Sequence, residues 1–549
     1  MQMLSTINSK VKKGNYQEAL TQIRDLSIPS KLVHRLRFLE SKAHYGLKDY
    51  TNALVKVNLA IEQNTDNPWY YFHKHCIQKD LSRNHEAYLS LSKGAEIESS
   101  NNIQRAKFYY ELALLVISIE GLRQHTEKYL IEAIKYSPGH SKSIFLLAEL
   151  LETHYPEESK QLRRTSELSI RLLSKYSLNN QKVIKRSIFD QDEGLKVYHY
   201  TDHKTVSTKR ANQLGKTQIY CVENQSWKTN AEYLVQLENG SAWSDGVANI
   251  IYKKNSYYEE ISSGCSNLIL QSKNLIREQS HYEGNVVYLP TKFGKQNYCH
   301  WLLDVLPRIE LVKNLYPNLN GIDKILYHKS DAKYQQDTLD VLGYNELLED
   351  TWNNQSISAD NLIVPSFMSH PGNYGADWVI QFLMSSFLNN TKTPDVKHEY
   401  IYVSRRLCDK RRIINEEELE QGLSFLGFQT IFLEQLSIEQ QATLFNQAKV
   451  IVAPHGAGLT NLVFCQEGST VIEIFSPVYG TRAYCIIADV KKLNYYTYVG
   501  KDHNNAVSKS QQNHLPNSYF SQVDITVDVP VLLGRLTQLI KSDNLLKGF

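Results

Sequence analysis

Residues Val450–Asn461 read VIVAPHGAGLTN, and the fold turns on how this stretch is read. The β-branched run Val450, Ile451 and Val452 suits a strand buried on both faces. Pro454 ends it, and Gly456 and Gly458 let backbone approach a ligand closely. A helix beginning near Leu459 then turns its first amides toward whatever lies above the strand, an arrangement that favours an anion such as a phosphate. His455 and Ala457 sit in the turn; Thr460 and Asn461 come next and suit either a ligand or a helix cap. The same grammar also describes a plain tight connection, so the neighbouring sequence decides.

The flanks repeat the step. EYIYV (Glu399–Val403) is a strand, a helix starts near Asn415 with Glu418 completing a capping box, and it stops at Gly427. FQTIFL is the next strand, Ser437 with Gln440 caps a helix to about Ala448, and TVIEIF closes the block. Upstream, VVYLP, a helix from about Asn297 to Tyr316, KILYH, a helix around Tyr334 to Leu342, NLIVP and a helix near Ala376 to Leu388 alternate in the same way. That order calls for a mostly parallel sheet. Two Rossmann-like halves facing a cleft are expected, over residues 193–392 and 393–549. The tyrosine-rich runs between residues 195 and 275 read as a β-meander or an irregular lead-in to the first half.

Residues 1–182 differ. GNYQEAL and KDYTNAL place Tyr16 and Tyr50, and Ala19 and Ala53, 34 residues apart, and Ala87 falls another 34 on. This is the period of a tetratricopeptide helix pair, whose small alanines let paired helices approach. A shifted fourth copy is expected around Ala133 and Pro138. Such an all-α solenoid offers a surface for a protein partner or a dimer contact.

Composition excludes several classes. The net charge of +3, without a long Lys/Arg block, argues against a nucleic-acid partner. No apolar run approaches the ~18 residues of a membrane span, and the start MQMLSTINSK lacks an apolar targeting core, so a cytoplasmic location is expected. The seven cysteines are scattered without a CxxC pair, which indicates neither a disulfide framework nor a metal site.

Three polar features fall at strand ends: Ser404, Arg405 and Arg406 after EYIYV, the His455–Asn461 turn, and Glu473 in TVIEIF. Ligands of open parallel sheets bind outside the carboxyl ends of the strands, so the three are expected to meet in one crevice. An arginine fork holds a diphosphate, the helix start adds N–H donors, and a carboxylate accepts from ribose hydroxyls. Lys410, Arg411 and Arg412 extend the charge, as a solvated basic loop would. Across the cleft, QNYCHWLLDVLPRIE places His300, Asp304 and Arg308 four residues apart, one polar stripe if the segment is helical, with Pro307 expected to kink it. His300 and Asp304 at that spacing form a proton-handling pair, or, with Arg308, a salt network that pins the helix.

NYCHWLLDVLPR, YVSRR, INEEEL, LSIEQQATLFNQAKVIVAPHGAGLTNLVF and VIEIF together resemble glycosyltransferase family 61, in ordered blocks over about residues 280 to 480. The resemblance implies a GT-B architecture, a nucleotide diphosphate sugar as donor, inversion at the anomeric carbon, and no bound metal or other cofactor. It also implies a glycan acceptor, with a place in capsule or surface polysaccharide synthesis. Arg405 then corresponds to the phosphate-binding arginine, His455–Asn461 to the donor loop, Glu473 to the nucleotide-contacting acid, and His300 with Asp304 to the HWxxD block. His300 is the expected base and Asp304 its orienter, with the reverse assignment as competitor; Arg308 falls on the acceptor side. A nucleotide-sugar epimerase and a non-catalytic scaffold in glycan assembly are the alternatives.

Overall fold

The computed structural model describes residues 2–165 (except 13, 25, 27–28, 98–101, 120 and 138–139), 175, 184–262 (except 191, 203, 209–210, 215–224 and 245–248), 280–351 (except 292), 356–368, 376–388, 398–502 (except 409) and 523–542. Contacts divide the chain into a helical unit within residues 1–183 and an α/β unit made of 184–263 and 279–549.

The helical unit runs α1 (Gln2–Lys12), α2 (Tyr16–Arg24), α3 (Val33–Gly46), α4 (Tyr50–Gln63), α5 (Pro68–Asp80), α6 (Asn84–Glu96), α7 (Asn102–Ile117), α8 (Thr126–Tyr136), α9 (Ser141–Glu152) and α10 (Pro156–Thr165). The 34-residue echo is physical: α2, α4 and α6 start at Tyr16, Tyr50 and Asn84. Ala19, Ala53 and Ala87 are fully buried on them, where a larger side chain would push the helices of a pair apart. Gly94 makes the same point, since a Cβ there would lie 2.6 Å from the Phe108 ring. Ala133 is likewise buried in α8, whereas Pro138 lies outside the described residues.

The α/β unit is built on two large sheets. In its first half, β1 (Glu232–Ser244), β2 (Ser280–Tyr288), β3 (Lys324–Tyr327), β4 (Leu348–Asp350) and β5 (Ser356–Pro365) belong to a nine-stranded sheet, with β4 at one edge. The run β4–β3–β2–β5 is parallel, as the alternating pattern predicts. β1 then joins β5 antiparallel, followed by Asn249–Lys253 and Ser256–Tyr258, while Leu195–Thr201 pairs with β1 as well. The first half is therefore a mixed sheet, not the mostly parallel one expected. The tyrosine-rich segment is no lead-in: its antiparallel strands supply the other part of this sheet, although residues 263–279 lie outside the description. Helices α11 (Leu306–Lys313) and α12 (Lys333–Leu342) fill the crossovers between β2, β3 and β4, and α13 (Asp377–Leu388), after β5, leads to the second half and packs against it.

The second half holds β6 (Tyr400–Val403), α14 (Glu416–Phe425), β7 (Gln429–Ile431), α15 (Ile438–Gln447), β8 (Val450–Pro454), β9 (Thr470–Phe475), α16 (Ala483–Val490), β10 (Asn494–Val499) and α17 (Val529–Ser542). Its sheet is wholly parallel, in the order β7–β6–β8–β9–β10. Asn212–Gln213, from the tyrosine-rich segment, crosses over to pair with β10. Every residue of β8 and β9 is buried, which is why both read as unbroken apolar runs. Ser437 and Gln440 form the expected capping box on α15. Asn415 does not cap α14: its amide bonds the backbone of Val527, which ties the C-terminal segment down instead. From β6 the chain leaves one way to β7 and returns on the other side to β8, so a topological switch point lies between β6 and β8.

Candidate functional site

The carboxyl ends of β6 and β8, adjacent in register from Tyr400–Val450 to Tyr402–Val452, deliver Arg405 and the His455–Gly456 turn to one place. The Arg405 guanidinium lies directly against Gly456, where a Cβ would stand 2.0 Å from Nη1. Gly456 has extended backbone (φ −179°), so glycine is required here for space and not for conformation. Arg405 Nη2 donates to the Lys410 carbonyl at 3.0 Å, and its buried Nε has no hydrogen-bond partner among the described residues.

Behind the turn is a buried polar chain. His455 is 3% exposed; its backbone N–H donates to the Ile474 carbonyl at 2.8 Å, and its Nδ1 bonds the fully buried Glu473 carboxylate. The other Glu473 oxygen accepts from the Tyr495 hydroxyl. With Nδ1 bonded to Glu473 and one face stacked on Phe475 (ring centroids 4.9 Å apart), the imidazole is fixed in position. Glu473 is thus the support of His455, not an exposed acceptor.

Arg411 completes this wall. Its Nε donates to the His455 carbonyl at 3.0 Å, and its guanidinium lies 5.2 Å from the centre of the Tyr479 ring. Burial, and then the neighbouring Arg405 charge, push its pKa below the usual arginine value. Arg411, His455 and Gly456 border a cleft of about 440 Å³ between the two halves of the α/β unit, with Arg405 behind Gly456 and outside the lining. Asn297, Cys299 and His300 line it from the first half; Arg411, His455, Gly456, Ala457 and Tyr479–Tyr484 line it from the second.

Several expected site residues lie elsewhere. The Ser404 hydroxyl donates to Glu416 at 2.9 Å, and Arg406 pairs with Glu416 and Glu420 (2.6 Å), so the second arginine of SRR braces α14 and faces away from the cleft. The turn continues as a 3-10 helix from Ala457 to Phe464, not an α-helix from Leu459. Gly458 packs under Leu433, since a Cβ would lie 2.7 Å from its Cδ1, and Thr460 is buried outside the cleft lining. Asn461 is also buried: it accepts from the Tyr298 hydroxyl (2.7 Å) and donates to Gln441 (2.8 Å), joining the two halves.

The expected stripe on the first half is broken by a π-helical turn. Tyr298–His300 is α-helical, Trp301–Val305 is π, and α11 comes next with Pro307 in its first turn. The wider turn shifts the phase between the three residues. His300 stays in the cleft lining, but Asp304 is fully buried, accepting from the Met368 amide at 2.9 Å. Its second oxygen has no hydrogen-bond partner among the described residues. Arg308 is not on the acceptor side: fully buried, it donates to the carbonyls of Leu289 (2.6 Å), Tyr288 and Pro365 (2.8 Å) at the ends of β2 and β5. Burial lowers its pKa to about 10.

Sequence reading overlooks Arg411, Tyr495 and the Tyr479–Tyr484 segment. Arg411 is visible there only as part of a basic run, and Tyr495 only as one tyrosine of a strand.

A cleft at a switch point, walled by arginine and histidine, lies where open parallel sheets bind their ligands, and part of the chain is similar to known glycosyltransferases. Residues 298–472 match the family model described as Glycosyltransferase 61, and this part of the chain is a domain of that family. A beta-1,2-xylosyltransferase of Arabidopsis thaliana is 32% identical over 144 residues, 24% of this chain and 23% of that protein. An EGF domain-specific O-linked N-acetylglucosamine transferase of Gallus gallus is 25% identical over 121 residues, 21% and 22% of the two chains. The chain thus spans less than a quarter of either relative. Among solved structures, YrrB, "a TPR protein with an unusual peptide-binding site", matches at 12% identity over 32% of this chain and 84% of its own, with a TM-score of 0.24.

Proposed function

We propose that the α/β unit is an inverting glycosyltransferase that moves a sugar from a nucleotide diphosphate sugar to a glycan acceptor, using a GT-B-like pair of halves. Its place in capsule or surface polysaccharide synthesis rests on the family resemblance alone. The observation that carries the reading is Arg405 seated on Gly456 at the switch point, beside a cleft whose lining, among the described residues, includes Arg411, Arg482, His300 and His455 but no carboxylate. Positive charge fixed there suits a leaving diphosphate, on which negative charge grows as the glycosidic bond breaks. We assign that charge to arginine, with no resident metal ion required.

The reaction is one displacement. The acceptor oxygen bonds the anomeric carbon from the face opposite the diphosphate, the carbon–oxygen bond to phosphate breaks, and its electron pair leaves with the nucleotide. The acceptor proton goes to His300, which lines the cleft on the wall opposite His455. Asp304 acts at one remove: its bond to the Met368 amide holds the π-turn that sets the His300 position.

Two measurements test the reading. Arg405→Ala is expected to abolish nucleotide release from a donor sugar with the circular dichroism spectrum unchanged; near-normal turnover would overturn the assignment. In a thermal screen of nucleotide diphosphate sugars, the true donor at 100 times its dissociation constant adds about 2.7 kcal/mol of stability. Conversion of the sugar without any acceptor would point instead to an epimerase.

A further inference from the structure

We propose that Phe293 is the platform on which the acceptor sugar rests, a stacking subsite for the carbon–hydrogen face of a pyranose beside His300. The inference rests on the glycosyltransferase reading above and adds a surface for the acceptor ring, which the polar lining of the cleft does not supply.

Phe293 lies in the loop between β2 and the Tyr298–His300 turn, and two features set it apart. Its backbone is left-handed (φ 66°), an outlier for a bulky side chain that persists only where the surrounding structure holds it. It is also 43% exposed, although an aromatic ring gains more from burial than most side chains do. The loop shows what holds the strain. The Phe293 carbonyl accepts from the amides of Gln296 (3.2 Å) and Asn297 (3.0 Å), and the Asn297 side chain in turn caps the turn that carries His300. Gln335 of α12 donates to the Lys295 carbonyl at 3.3 Å. Gly294 fits tightly against the π-turn, since a Cβ there would lie 2.8 Å from Val305 Cγ2 and from Thr291 Oγ1. Glycine would adopt the Phe293 backbone without strain. A phenyl ring stands there instead, its centre 5.6 Å from that of the His300 imidazole and tilted by 60°.

A sugar ring suits that place because it is amphipathic. Hydroxyl groups circle its rim, while its axial hydrogens make an apolar face. Those hydrogens carry slight positive charge, which the negative face of an aromatic ring attracts. Laid on Phe293 at the usual carbon–carbon contact of about 4 Å, a pyranose turns its rim toward the neighbouring imidazole, so that one hydroxyl meets His300 and the others stay in water. A nucleotide base would also stack on a phenyl ring. Phe293, however, belongs with His300 to the first half, across the cleft from Arg411 and His455, so the ring falls to the acceptor.

The test uses the full chain, the donor found in the thermal screen, and the methyl β-glycosides of xylose, glucose, galactose and N-acetylglucosamine as acceptor probes, with product followed by mass spectrometry. Wild type is expected to glycosylate at least one of them. Phe293→Ala is expected to raise KM for that glycoside about tenfold, the upper range for one aromatic contact, with donor KM and donor hydrolysis unchanged. Phe293→Tyr keeps the ring face and should restore acceptor KM. Phe293→Gly separates a platform from a structural role. It relieves the left-handed backbone, so its thermal midpoint should match or exceed that of wild type while acceptor KM rises as in the alanine variant. Phe293→Trp adds a binding readout: its fluorescence should change with the glycosides beyond any change in wild type, and not with xylitol, which has the hydroxyls but no ring face. Phe425→Ala, at an exposed phenylalanine of α14, is the control and should behave as wild type. If the folded alanine and glycine variants keep the wild-type acceptor KM, the platform is wrong and the transferase reading stands. A shift in donor KM instead would give the ring to the donor base and overturn the assignment. Donor hydrolysis with no glycoside either glycosylated or sensed by Phe293→Trp overturns it as well. If wild type neither hydrolyses nor transfers from any donor, the transferase reading fails and this inference with it.

Discussion

Gly456 shows how one position controls a site without contributing an atom of chemistry. Its backbone is extended, so alanine meets no conformational penalty there, but the added Cβ would occupy the place of Arg405 Nη1. The end of a long arginine side chain moves aside at small energetic cost, and its position is lost. Gly456→Ala is therefore expected to keep the thermal midpoint close to wild type while weakening nucleoside diphosphate by at least about tenfold, the lower end for a charged hydrogen bond. Unchanged affinity in a titration would show that the seat on Gly456 does not matter. At this scale the site is only partly legible in the sequence. Arg405, His455 and Gly456 stand out because strand ends announce themselves by a β-branched run followed by glycine or a charged residue. Glu473 is legible as a buried carboxylate in need of partners, but not as the support of His455. Those partners, His455 from the turn after β8 and Tyr495 from β10, meet only after the sheet forms. Arg411 is hidden for a different reason: a left-handed residue in a loop has no periodicity to betray where its side chain goes.

Elements are more legible than residues, and where they mislead, the cause is a change of helical period. A spacing of four puts His300, Asp304 and Arg308 on one face only if 3.6 residues make a turn throughout. The π-turn over Trp301–Val305 rotates the residues beyond it, leaving His300 in the cleft and burying Asp304 and Arg308 as braces of the sheet ends. In the helical unit the period holds, and a core histidine there carries a pH signature. His73 in α5 is buried edge-on against Phe38 (5.4 Å) and Tyr45 (5.3 Å), and burial, then Lys42, lowers its pKa from 6.5 to about 4. Below pH 6.5 the unfolded chain takes up a proton that the folded one refuses, so folding stability falls as pH drops from about 6.5 to about 4. His73→Phe removes the titrating group from that slot. Thermal melts of the full chain between pH 4 and 7, followed by helical circular dichroism, should show a shallower acid loss for this variant than for wild type. Equal slopes would mean that His73 is not among the groups that set acid stability.

At the scale of the molecule, the alternating βα pattern announces an α/β unit in two halves, but not how the halves are joined. That depends on pairings between residues far apart in sequence: Asn212–Gln213 adds a strand to the opposite sheet, and one continuous apolar core takes in Trp301, Leu302 and Leu306 from the first half with Ile451, Leu459 and Leu462 from the second. Asn461 sits inside this junction with both ends of its amide engaged, to Tyr298 and to Gln441. A shared core makes independent unfolding of either half costly, because each would expose apolar surface on the other. Backbone amides of β2 and β3 and those of β8 and β9 should thus open to hydrogen exchange at the same urea concentration, followed by mass spectrometry of the full chain. Asn461→Ala removes both of these bonds, leaving the Tyr298 hydroxyl only its longer bond to Gln441 (3.3 Å), at about 1 kcal/mol for each hydrogen bond lost. Because that loss falls on the junction, it should lower the opening concentration of both pairs of strands by the same amount. A shift confined to β8 and β9 would mean that the halves fold separately, and that the cleft between them is an open hinge instead of a built wall.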